Sequence, residues 1–171
     1  MTGLLYLQNS SGYNDCYFKT ESLVDFLYRT LFIDKGSYLG VSFITAAEMR
    51  DLKIKHFGVN EDSDVLSFPI DEIAPGSENS LVYGVLGDIV VCPETVMRQA
   101  VRHPFEHEIY LLVVHGFLHL LGFDHSDAPS KKEMFSLQAK LIEDFFALEN
   151  LGTPSEEITI TPDLRPSLGR I

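Results

Sequence analysis

The sequence predicts a single domain that mixes short strands with helices, on three observations. At 171 residues, 45% hydrophobic and 22% charged, the chain has the size and composition of one domain with a full core. Val41–Thr45 and Ile89–Val91 are β-branched or continuously apolar, as strands are. Thr20–Ile33, Glu106–Leu121 and Ser130–Leu148 have the length and apolar spacing of helices.

Leu4–Leu7 reads as a first strand. Thr20-Glu21-Ser22 opens a helix through about Ile33, with Leu23, Phe26, Leu27, Thr30 and Leu31 at helical intervals. Val41–Thr45 is the next strand, and Thr45 is placed to cap a helix running from Ala46 to about Lys55. Asp64–Pro69 is a strand stopped by its proline. Ile73–Ser80 holds Pro75, Gly76, Ser77 and Asn79 and reads as a loop. Val85–Cys92 is a buried strand, and Pro93 with Glu94 starts a short helix. Glu106–Leu121 is apolar almost all round, so it is expected in the core. Ser130–Leu148 is amphipathic, with Met134, Leu137, Leu141, Phe145 and Leu148 inward. Residues 1–149 form the expected domain. Residues 150–171, with three prolines, two glycines and no period, read as a poorly ordered tail.

Half of the six histidines fall in the run His115 to His125. His115 and His119 are one helical turn apart, on one face, separated by about 6 Å along the axis. Gly122 is placed to end the helix in a left-handed turn and bring His125 back as a third ligand. Three neutral imidazoles suit Zn²⁺, one per chain, and leave a coordination position open as catalytic zinc does. The offsets match the long zinc-peptidase pattern H-E-x-x-H-x-x-G-x-x-H, except that Gly116 stands where the peptidase has its general-base Glu. Glu108 shares the face but lies about 10 Å up the axis, which suits a surface or supporting role. Asp124, beside His125, either orients an imidazole or caps the turn.

The formal net charge of −12 argues against broad electrostatic capture of nucleic acid. Local cation clusters remain at Arg50, Lys53, Lys55 and His56, and at Arg98, Arg102 and His103. No apolar run approaches the ~20 residues needed to cross a bilayer. Met1–Gln8 lacks a basic n-region, so a cytoplasmic location is expected. Cys16 and Cys92 are expected as two buried thiols rather than a disulfide.

The run His115–His125 resembles the signature of the YbeY family of metal-dependent endoribonucleases that mature ribosomal RNA. Asp64-Val65-Leu66-Ser67-Phe68-Pro69 is similar to its DVLSFP block, and Leu86-Gly87-Asp88-Ile89 to its LGDI strand. Glu133, Met134 and Gln138 also fit, and the likeness spans about Ser42 to Glu149. The resemblance implies an α+β, zincin-like fold: a small mixed sheet of about four strands packed by about five helices, two metal ligands lying on a buried one. It implies His115, His119 and His125 as metal ligands, and cleavage of single-stranded RNA in 16S rRNA 3′-end maturation and ribosome quality control. The partner it implies is ribosomal RNA on the small subunit. The chain departs from the family where an arginine usually precedes the DVLSFP block: Phe57 stands there, and Lys53 replaces a common asparagine.

Arg50, Lys53 and Lys55 are candidate substitutes for that charge, Arg50 and Lys53 as substrate-binding residues. Ser67 and Phe68 are candidates for lining the cleft, Phe68 either stacking a base or belonging to the core. Asp64 and Asp88 are further candidates for a base, or strand-end residues. Two alternatives stand beside the nuclease: a zinc peptidase or amidase-like hydrolase, and a non-enzymatic ribosome-assembly factor with a stabilising metal. Hydrolysis of small phosphoesters is a third.

Overall fold

A computed structural model describes residues 4–14, 19–99 and 102–156. Four strands form one mixed sheet: β1 (Leu4–Asn9), β2 (Tyr38–Phe43), β3 (Val65–Pro69) and β4 (Val85–Val91), in the order β1-β2-β4-β3. β1, β2 and β4 are parallel, and β3 runs antiparallel along β4. Among the described residues there are five helices: α1 (Thr20–Thr30), α2 (Ala46–Phe57), α3 (Pro93–Gln99), α4 (Phe105–Leu120) and α5 (Ala128–Leu148).

The strands alternate because the sheet is covered unequally on its two faces. Leu39, Val41, Phe43, Val65, Ile89 and Val91 join α1, α4 and α5 in the main core. Leu66 and Val90 point the other way, into a smaller cluster with Ala46 and Met49 of α2. Helix α4 is sandwiched between sheet and α5, which explains its apolar circumference; Leu111, Leu112, Val113 and Val114 are all fully buried. Helix α2 starts in a capping box: Thr45 Oγ1 accepts from the Glu48 N–H (3.2 Å) and Glu48 accepts from the Thr45 N–H (2.8 Å).

Several boundaries differ from the sequence reading. Helix α1 stops at Thr30 because Phe32 takes a left-handed φ of 56°. Thr30 is exposed rather than inward. Strand β2 starts at Tyr38, with Gly40 inside it rather than before it. A Cβ at Gly40 would lie 2.0 Å from Asp88 Oδ1 on β4, so only glycine lets that carboxylate lie over the strand. Leu148 is 52% exposed, not inward, because it ends α5 beyond the stripe that packs on its neighbouring helices. Glu108 is buried, not on the surface: the His103 ring lies 2.6 Å from its carboxylate. Cys92 is buried and free. Cys16 and residues 157–171 of the expected tail lie outside the described residues.

Candidate metal centre

His115 and His119 project from the last turns of α4. The helix ends in a Schellman turn: Gly122 N–H donates to the His119 carbonyl, and Phe123 N–H to that of Leu118, both at 3.1 Å. Gly122 has φ 83°, the left-handed region where glycine carries no steric penalty. The reversed chain brings His125 back over the helix end. Each ring offers a nitrogen, and the three nitrogens lie within 4.8 Å of one another. The ring centroids of His115 and His119 are 4.6 Å apart, and those of His119 and His125 are 5.2 Å apart.

Two hydrogen bonds fix the tautomers. His115 Nδ1 donates to Gln138 Oε1 of α5 (2.8 Å), and His119 Nδ1 donates to the Phe123 carbonyl (2.9 Å). With both Nδ1 atoms used as donors, both Nε2 atoms present lone pairs, and these lie 3.1 Å apart. Two facing lone pairs repel unless a cation sits between them. Tetrahedral zinc with bonds near 2.0–2.1 Å would hold two such nitrogens roughly 3.3 Å apart. His125 Nε2 is buried without a hydrogen-bond partner, a costly arrangement that ligation would relieve. Burial, and then the neighbouring His125, hold the His119 pKa down to about 4, so that ring is neutral near pH 7. The donor set therefore fits a divalent metal ion of Zn²⁺ type.

Asp124 is exposed and caps the turn: its Oδ1 accepts from the N–H and hydroxyl of Ser126. The Phe123 carbonyl and Gln138 hold the rings instead. Gln138 is 2% exposed on the inward stripe of α5; a lone amide among Met134, Leu141 and Phe145 was the sequence signal for its role. His119 also lines a cleft of about 410 Å³ together with Pro69, Asp71, Glu72, Ile73, Ala74 and Gly122. Asp71 and Glu72 bring carboxylates to this cleft that the sequence reading did not single out. No periodicity distinguishes them from an ordinary acidic loop.

Ser67 lies on the face of β3 that meets α4, where its hydroxyl donates to the Gly116 carbonyl at 3.3 Å. Phe68 faces α2 and is half-buried. Arg50 and Lys53 lie on α2: Arg50 Nε is 3.6 Å from Asp62, and Lys53 Nζ is 3.5 Å from Glu61. Asp88 accepts a hydrogen bond from Tyr38 (3.1 Å), and Asp64 is buried just before β3. A Cβ at Gly116 would lie 2.8 Å from Ile89 Cγ2 and 2.9 Å from Ser67 Oγ. The sheet therefore fills the position where a zinc peptidase keeps its glutamate, which counts against a peptidase or amidase although the histidine offsets match.

The family model described as "Endoribonuclease YbeY" matches residues 10–146. Curated proteins named Endoribonuclease YbeY are similar over most of the chain. The one from Mycolicibacterium smegmatis is 37% identical over 146 residues, 82% of each chain. That from Streptomyces coelicolor is 42% identical over 131 residues, 73% of this chain and 79% of its own. That from Micrococcus luteus is 38% identical over 136 residues, 78% and 83%. A Thermotoga maritima protein solved in solution has a TM-score of 0.61 and 28% identity, over 86% of this chain and 92% of its own. With a histidine trio at the end of a buried helix and this agreement along its length, the chain belongs to the YbeY endoribonuclease family.

Proposed function

We propose that the protein is a zinc-dependent endoribonuclease that cleaves single-stranded RNA in maturation of the 16S rRNA 3′ end and in ribosome quality control, in the cytoplasm and with the small ribosomal subunit as partner. Residues 1–149 would form the catalytic domain. The observation that carries the reading is the pair of Nε2 lone pairs 3.1 Å apart, with His125 Nε2 beside them lacking a partner. His115, His119 and His125 would hold the ion. When bound, it supplies a Lewis acid for a phosphodiester oxygen and acidifies water to a pKa of about 7.

The chain's own residues do the rest. Gln138 and the Phe123 carbonyl keep both Nε2 atoms facing one point. Ser67 and Gly116 hold β3 against α4, so the Pro69–Ala74 segment forms one wall of the cleft. RNA phosphates compete with Asp62 and Glu61 for Arg50 and Lys53. Asp124 stiffens the turn that carries His125. Among the described residues no helix is long and apolar enough to cross a membrane. The test is incubation of zinc-loaded protein with an rRNA precursor, beside an EDTA-treated sample and His119→Ala. Cleavage by the loaded wild type alone is expected. Equal cleavage by demetallated His119→Ala would refute the metal reading.

A further inference from the structure

The histidine trio has no proton acceptor where a zinc peptidase keeps one, since Gly116 stands there with the sheet packed against it. Several carboxylates around the trio are committed or remote. Asp124 caps its own turn on Ser126, and Glu108 is buried against His103. Asp88 lies opposite Phe68, on the sheet face away from α4, where it accepts from Tyr38. Asp64 precedes β3, at the other end of that strand from the cleft. The cleft itself, about 410 Å³ and lined by His119, has the size of a ligand pocket, about 300–1,000 Å³. Its facing wall carries Asp71 and Glu72. Asp71 is spent on the fold. Its Oδ2 accepts from the Val85 N–H at 2.7 Å, and its own N–H donates to the Val85 carbonyl at 3.0 Å. Ile73 N–H donates to the Asp71 carbonyl at 3.1 Å, and the Ile73 side chain is buried in the main core. The backbone of Glu72 is therefore held between two anchored neighbours. Its side chain is exposed and, among the described residues, has no hydrogen bond or ion pair. A fixed stem with a free carboxylate can take a proton inside the cleft and release it to solvent.

We propose that Glu72 is the proton acceptor of the endoribonuclease reaction, a catalytic residue acting on the attacking water in the cleft beside His119. The proposal rests on the endoribonuclease reading. As the water oxygen bonds to phosphorus, its proton passes to the Glu72 carboxylate, and the P–O bond to the departing ribose oxygen breaks. That oxygen takes a proton from solvent, and Glu72 returns its own to solvent. Water and a phosphodiester become a phosphomonoester and an alcohol, with nothing oxidised or reduced. A positioned base contributes about 10²–10⁴-fold to such a step. Glu72 adds nothing to substrate affinity, because a carboxylate repels a neighbouring phosphate. A proton acceptor and a substrate clamp thus differ in the sign of their effect on binding.

Glu72→Gln keeps the size and polarity of the side chain and removes the acceptor. Three quantities are read: cleavage of an rRNA precursor by zinc-loaded protein, zinc affinity by chelator competition, and affinity for a fluorescein-labelled single-stranded oligoadenylate in EDTA. Glu72→Gln should cleave about 10²–10⁴-fold more slowly than wild type. Its zinc affinity should be unchanged, and its oligoadenylate affinity equal or tighter. Melting temperatures should agree, since Glu72 is exposed. Glu72→Ala should be equally slow and regain rate when formate supplies a carboxylate to the open cleft. Wild-type cleavage by Glu72→Gln would overturn the assignment and leave the endoribonuclease reading standing. A fall in zinc affinity would overturn it by making Glu72 a ligand, and weaker oligoadenylate binding by making it a clamp. A slow Glu72→Ala that formate leaves slow would overturn it as well. A zinc-loaded wild type that does not cleave RNA would end both readings.

Discussion

Gln138 is what the proposed metal centre has beyond three histidines that share a core. Its amide oxygen takes the His115 Nδ1 proton at 2.8 Å and so aims Nε2 at the shared point. Residues that orient ligating histidines typically contribute 10–100-fold in metal affinity. Gln138→Leu keeps the volume and the apolar setting but removes the acceptor. It should fold and bind zinc about 10–100-fold more weakly in chelator competition; wild-type affinity would mean packing alone orients the ring. His119 adds a pH dependence. Its pKa is about 4 in the fold, chiefly through burial, against 6.5 for the free side chain. Between those values the unfolded chain holds a proton that the folded chain lacks, so acidification favours unfolding. Metal-free protein should lose stability progressively as pH falls from 6.5 towards 4, and His119→Gln should flatten that part of the profile. A wild-type urea midpoint constant across this range would contradict the burial account.

The centre depends most directly on α4 and the turn that follows it. Its geometry was legible in the sequence because helix spacing and a terminal glycine are local rules: two histidines four apart share a face, and Gly122 supplies the φ of 83° that reverses the chain. What was not legible came from contacts between elements. The apolar pattern starts the strand at Val41, yet β2 begins at Tyr38 and Gly40 within it leaves the gap that Asp88 fills from β4. Glu108 suited a surface or a supporting role, and it is buried against His103, which precedes α4. Asp71 and Glu72 became candidates for the cleft only once β3 lay against the helix. Gly122→Ala should cost about 1–2 kcal/mol, the penalty of a Cβ in left-handed backbone, and weaken zinc binding by displacing His125. Thr45→Ala should cost about 1 kcal/mol through loss of the α2 cap and leave zinc affinity unchanged. Thermal melts with and without zinc separate the two; an equal zinc response in both variants would contradict a specific role for the turn.

Across the whole molecule the trio joins α4 to the turn that follows it, beside the core that α4 shares with α5. His115 and His119 belong to α4 and His125 to the exposed turn before α5. Gln138 extends the connection into α5, which packs against α4 on the side away from the sheet. An ion bound here would stabilise only the folded state, because the unfolded chain has no preformed site. At a free metal concentration of about 100 times Kd the gain is about 2.7 kcal/mol. For a domain of this size that corresponds to a rise in Tm of roughly 5–10 °C. Chelation of the zinc-loaded wild type should lower Tm by that amount, and addition of zinc should restore it. His119→Ala should begin near the chelated value and respond to neither treatment. That contrast matters because EDTA could also act on an unrelated surface site, which His119→Ala would retain. A wild-type Tm indifferent to both chelation and zinc would leave the facing lone pairs of His115 and His119 without a cation, and would refute the metal centre.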